Sequence, residues 1–223
     1  LWLKSPSEIG EEAIELVEEG TFDALKHRLG RQTAAEDIKA IDAARANIGD
    51  DIELMTDYSQ ALDMAEASLR CHAIDNLGLA WIEDPIVYEN LDGCAQLTRN
   101  LKTPIQIGEH FYGPKDMFNA IQKRASNFVM PDFMRIGGVT GWIRSSPIAA
   151  AEGIPMSTHL YPEVAAHMMR VTDTAHWLEW QDWAEPILKR PYIIENGYLQ
   201  IPDALGLGIE WDEDFIASHL VEP

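Results

Sequence analysis

The chain has 223 residues and a mass of 25.0 kDa, enough for one large domain or two small ones, and its 46% hydrophobic residues can fill a sizeable core. Acidic residues number 37 against 17 basic ones, a formal charge of -20, which disfavours nucleic acid and anionic membranes as partners and supplies oxygen ligands for hard cations. Cys71 and Cys94 make neither a disulfide framework nor a CxxC motif. No apolar run approaches the roughly 20 residues of a membrane span and no signal peptide opens the chain, so the expected setting is cytoplasmic.

The first apolar run is LWLK (1–4), which reads as the inside of a strand, as though a segment preceded it. PSEIGEEAIELVEEG (6–20) follows with apolar residues at helical spacing. FDALKHR (22–28) is the second strand-like run and closes on Lys26 and Arg28. Thr33 and Glu36 then form a capping box that opens the helical segment ending near Gly49. DIELMTD closes on Asp57, LGLAWIED carries Glu83, and TPIQIGE closes on Glu109. NFVMPD ends on Asp132, and IGGVTG (136–141) after it reads as a tight turn into a helix rather than a phosphate cradle, since it lacks the dinucleotide and P-loop spacings. GIPMSTH closes on His159 and TAHWLE on Glu179. The tail YIIENGYLQIPDALGLGIEW (192–211) reads as a short irregular or β segment.

Eight strand-like runs alternating with helical segments predict βαβ units and a parallel sheet, whose strands are buried on both faces and read as nearly continuous apolar runs. Eight units point to a closed (β/α)8 barrel, with an open doubly wound sheet as the alternative. No linker divides the chain.

In a parallel barrel all strands deliver their C-terminal ends to one rim, where catalytic groups collect. Asp57, Glu83 and Glu109 are spaced 26 residues apart (83 − 57 and 109 − 83), one βα unit each. Any single acid is an exposed loop residue by default. Three at neighbouring strand ends repel one another unless a divalent cation joins them, and carboxylates without Cys or His favour Mg2+, with Mn2+ possible, over zinc. His159 has Asp132 on the adjoining strand end, a carboxylate that fixes the tautomer and leaves the other ring nitrogen as a base. His72, His167, His176 and His219 lack that setting and are read as structural or surface residues, while His27 and His110 stay open.

The motifs TDYSQALD, WIEDP, IQIGEHFYGP, MPDFMRIGGVTGW, MSTHLYPEVAAHM and HWLE, in this order, resemble the barrel domain of the mandelate racemase subgroup of the enolase superfamily. The resemblance implies a TIM-type barrel of the (β/α)7β variant over residues 1–190. It also implies a C-terminal extension (191–223) packing toward a capping domain that this chain lacks. By position, Asp57, Glu83 and Glu109 would be the Mg2+ ligands and His159 with Asp132 the catalytic dyad. Lys26 and Glu179 would contact the substrate carboxylate, and Ser59 joins them as a substrate-binding candidate. The implied reaction removes the proton α to a carboxylate and passes through an enediolate. The implied partners are a small-molecule carboxylate and further copies of the chain in a homo-oligomer.

One position departs from the subgroup pattern, Lys-x-Lys at the end of the second strand, because the chain has Lys26-His27-Arg28. Deprotonating a free Lys at neutral pH costs about 4.6 kcal/mol, whereas Arg requires roughly 7 to 9 kcal/mol. With His159 as sole base, the expected reaction is dehydration of a sugar acid to a 2-keto-3-deoxy acid. Racemisation or epimerisation of a 2-hydroxy acid is the alternative, and a non-catalytic metal- or acid-binding barrel the third reading.

Overall fold

A computed structural model describes residues 3–220. Seven strands form one parallel sheet in chain order: β1 (Ala24–Arg28), β2 (Glu53–Asp57), β3 (Trp81–Glu83), β4 (Ile105–Ile107), β5 (Phe128–Val129), β6 (Met156–Thr158) and β7 (Ala175–Leu178). Helix α1 (Pro6–Gly20) precedes β1, and α2 (Ala34–Ile48), α3 (Met64–Ile74), α4 (Leu91–Asn100), α5 (Pro114–Gln122), α6 (Gly138–Ala151) and α7 (Pro162–Met169) connect the strands in turn. The second to eighth strand-like runs of the sequence are these seven strands. Of the first, LWLK, Leu1 and Trp2 lie outside the described residues, and Leu3 and Lys4 carry no strand, leading instead into Ser5, the N-cap of α1.

The sheet curls. Lys26 on β1 reaches Glu179, one residue past β7, with Nζ 2.6 Å from Oε1, so the first and last strands turn their C-terminal ends toward each other. Below them, the Trp81 ring on β3 lies 5.9 Å from the His176 ring on β7, and Phe128 on β5 lies 5.0 Å from His176. These side chains line the inner face of a curled half-barrel, with Trp81 buried and His176 still exposed. The helices cover the outside with Ile9 and Ala13 of α1, Ile41 and Ala44 of α2, Cys71 and Ile74 of α3, and Met117 of α5.

Local chemistry fixes the segments that carry the rim. Thr33 accepts from the Glu36 backbone N–H while the Glu36 carboxylate accepts from that of Thr33, so the expected capping box starts α2. Gly108, just before Glu109, has φ +147°, and a Cβ there would sit 2.7 Å from the Met130 backbone nitrogen; only glycine lets β4 approach β5 this closely. In IGGVTG, Gly137 is left-handed at φ +104°, and a Cβ on Gly141 would meet the Ile136 carbonyl oxygen. The motif is the tight turn its spacing implies.

The loop after β1 is held from inside. Asp37 is fully buried and accepts from the Gly30 and Arg31 backbone N–H groups and from Arg70 Nη1 at 3.1 Å. Arg70 also donates to the carbonyls of Arg31 and Gln32. Breaking a buried ion pair from one side leaves its partner uncompensated, at a cost of about 3–5 kcal/mol. Asp37→Ala is therefore expected to lower stability by that amount, read as a fall in the denaturant midpoint at constant m-value.

Past β7, the chain forms an antiparallel hairpin, β8 (Ile193–Glu195) with β9 (Tyr198–Gln200), turning through Asn196 and Gly197, both at positive φ. The Gly197 N–H donates to the Gly20 carbonyl at 2.8 Å, which pins the hairpin to the end of α1. A short helix, α8 (Glu213–Ser218), follows.

Candidate metal and acid-base site

Strand register places the polar side chains. Arg28 pairs in register with Asp57, and Asp57 with Glu83, so three charged residues stand in one row across β1, β2 and β3. Side chains alternate along a strand. Lys26 and Arg28 therefore share one face of β1, and His27 points to the other, where it is fully buried and burial holds its pKa down to about 3. His27 is a structural residue. Glu109, Asp132, His159 and Glu179 follow β4, β5, β6 and β7 at the same rim.

Two sets of contacts meet there. In the first, Lys26 Nζ lies 2.9 Å from Glu83 Oε1 and bridges to Glu179, while Trp81 Nε1 donates to Glu83 Oε2 at 3.0 Å. Arg28 Nη2 lies 2.9 Å from Asp57 Oδ2, and the Ser59 N–H donates to Asp57 Oδ1 at 2.6 Å. Ser59 is exposed and left-handed (φ +47°), and its role in the structure is this backbone contact.

In the second set, His159 Nδ1 lies 2.8 Å from Asp132 Oδ2, and Nε2 lies 3.1 Å from Glu109 Oε2. Asp132 Oδ1 accepts from the backbone N–H groups of Met134 and Arg135, both at 2.9 Å, which fixes the carboxylate that orients the ring. Glu179 Oε2 accepts from the Leu160 N–H, and the Glu179 N–H donates to Thr158 Oγ1.

The electrostatics follow from this packing. Burial raises the Glu83 and Asp57 pKa values against the pull of Lys26, and each carboxylate faces further negative charge nearby. Burial is the largest influence on Asp132 and His159 and opposes ionisation of both, but it is outweighed by the sum of their mutual hydrogen bond, the Arg135 N–H at Asp132, and Glu109 and Glu179 beside His159, so Asp132 is lowered and His159 raised. His159 holds Glu109 low in the same way. Lys26 is raised by Glu179, Glu83 and Asp57 despite its own burial.

The three expected metal ligands face one rim, but their oxygens are engaged with different cations: Asp57 with Arg28, Glu83 with Lys26 and Glu109 with His159. Among the described residues, the set of three that brings one ligand atom each within 4.8 Å of the other two is instead Asp84, Glu109 and His110. The donor chemistry nevertheless suits a hard divalent ion. Asp57, Glu83, Asp84, Glu109, Asp132 and Glu179 outnumber Lys26, Arg28 and Arg135 around the rim, and burial makes that surplus charge costly.

Sequence reasoning passed over three residues of this rim. Arg135 Nη1 donates to the Glu109 carbonyl at 2.9 Å. Gln60 touches the His110 ring. Asp84 is buried beside Glu83 at φ +38°. Only Asp84 left a trace in the sequence, as a second acid adjoining Glu83 and preceding Pro85, a place where an ordinary backbone is already restricted.

Comparison with known proteins agrees with this architecture. A family profile described as "Enolase C-terminal domain-like" matches residues 8–215. L-talarate/galactarate dehydratase of Salmonella typhimurium is 31% identical over 195 residues, covering 87% of this chain and 49% of that protein. The crystal structure of an enolase from alpha proteobacterium bal199 with bound Mg superimposes with a TM-score of 0.97 at 58% identity, covering 99% of this chain and 62% of that one. An enolase from Bradyrhizobium, complexed with magnesium and mandelic acid, gives 0.94 at 38% identity, covering 99% and 61%. The chain spans about half the length of the curated relatives it matches.

Proposed function

The chain belongs to the enolase superfamily, as a C-terminal barrel domain of the mandelate racemase/muconate lactonizing enzyme group, and on that premise we propose that it carries the chemistry of a Mg2+-dependent enzyme that removes the α-proton of a carboxylate. The observation that carries the proposal is the His159 ring, held at Nδ1 by Asp132 with Nε2 turned toward Glu109. Asp132 sets the tautomer and stabilises the imidazolium that forms when Nε2 takes a proton. Asp57, Glu83 and Glu109 would hold the Mg2+, which when bound stabilises negative charge developing on the substrate carboxylate. Lys26 and Glu179, joined at 2.6 Å, would hold that carboxylate from the other side.

On this reading the reaction is dehydration of an acid sugar. His159 takes the α-proton, the β-hydroxyl leaves with that proton as water, and the resulting enol tautomerises to a 2-keto-3-deoxy acid. Arg28 is why dehydration is preferred to racemisation: its guanidinium is engaged by Asp57 at 2.9 Å and keeps its proton, so the face opposite His159 lacks the lysine base of the subgroup pattern. The dehydratase similarity favours this reading, and the similarity to a mandelate-bound structure favours the racemase alternative. The full chain with Mg2+, presented with a panel of aldonic and aldaric acids, is expected to release a 2-keto acid from at least one of them. Interconversion of 2-hydroxy acid enantiomers without keto acid would establish the alternative.

A further inference from the structure

Asp84 is 1% exposed, and neither of its carboxylate oxygens has a hydrogen-bond partner. An unpaired buried carboxylate is costly, and the backbone here also holds a non-glycine residue at φ +38°. What Asp84 faces is His110, with Nδ1 3.6 Å from Asp84 Oδ2 and 3.4 Å from Glu109 Oε1.

The ring of His110 is preset. Tyr88 stacks on it with centroids 5.6 Å apart and planes 18° apart, and the Gln60 side-chain nitrogen lies 2.5 Å from its Nδ1 and 3.0 Å from its Nε2, a contact a metal ion at Nδ1 would displace. Gln60 is fixed in turn by the Tyr88 N–H, which donates to its Oε1 at 2.9 Å. Glu109 turns its two oxygens to different partners, Oε2 to His159 and Oε1 to His110. The side chain of His110 remains 25% exposed, which leaves a route in from solvent.

We propose that Asp84, Glu109 and His110 form a second cation site, distinct from the Asp57, Glu83 and Glu109 set, that takes a borderline transition-metal ion such as Zn2+ or Co2+. Two carboxylates and one imidazole nitrogen within 4.8 Å of one another supply the mixed donors such ions prefer, whereas the neighbouring set offers oxygen alone and suits Mg2+. The shared Glu109 couples the two sites, so filling one weakens the other. The site itself does not depend on the reaction proposed above.

Cobalt titration of the full chain in saturating Mg2+ tests this without reading activity. One equivalent of Co2+ is expected to give a visible absorption band. His110→Gln and Asp84→Asn should each weaken Co2+ binding by more than the roughly 10- to 100-fold typical of losing an outer-shell partner, while exposed His72→Gln leaves it unchanged. A band insensitive to both substitutions, or no Co2+ bound, would overturn the proposal. Should both variants fail to fold, the unmodified chain decides: Zn2+ should protect His110 from diethyl pyrocarbonate in peptide mapping, and equal modification with and without Zn2+ would overturn it.

Discussion

In the full chain, His159→Asn is expected to lower kcat about 10^4-fold, the upper end of what a positioned general base contributes, with KM for the acid substrate nearly unchanged. The size follows from the absence of a substitute: Arg28 keeps its proton, and Lys26 is raised by the carboxylates around it. KM holds because Lys26 and Glu179, assigned to the substrate carboxylate, pair with each other, and the assay is run in saturating Mg2+ because Glu109, a proposed metal ligand, meets His159 Nε2 at 3.1 Å. An interaction used only in the transition state lowers kcat and kcat/KM together. A variant that kept its kcat but lost affinity would make His159 a binding residue.

Glu83→Gln is expected to weaken Mg2+ binding by more than about 100-fold, beyond the range for loss of an outer-shell partner, and to abolish turnover at ordinary Mg2+ concentrations. The substitution keeps the shape, but its single amide oxygen can accept from Lys26 or from Trp81 Nε1, not from both as the two carboxylate oxygens of Glu83 do. Loss of metal is therefore separated from loss of structure by measuring both. Calorimetric titration with Mg2+ measures the first, and a thermal melt the second. Unaltered Mg2+ affinity would remove Glu83 from the ligand set.

The rim residues were legible because of how a parallel sheet is buried. Strands covered on both faces read as apolar runs, so the first polar residue after each run marks the rim, and the 26-residue interval from Asp57 to Glu83 to Glu109 marks successive βα units. Asp132 and His159 were legible for the same reason, and they pair at 2.8 Å. Capping chemistry is local, so the start of α2 at Thr33 could be placed to the residue and the turn after Asp132 to the segment IGGVTG. What the sequence did not contain was the choice of partners. Whether Lys26 reaches Glu179, or Glu109 reaches His159, depends on how far the sheet curls, and that involves packing of residues distant in the chain, such as Trp81 against His176. Asp84 was missed because its neighbour Glu83 accounts for the acid at that strand end, and only the buried, left-handed backbone distinguishes it.

The central claim is that one base, His159, serves a single face of the substrate. Incubation of the full chain with Mg2+ and a turned-over acid in D2O tests it most directly. One-base dehydration is expected to give 2-keto acid carrying solvent deuterium only at the carbon that lost its hydroxyl, with no deuterium in recovered substrate of the opposite configuration. Deuterium in recovered substrate of both configurations would contradict it, because a proton would then have been delivered from the face that Arg28 occupies.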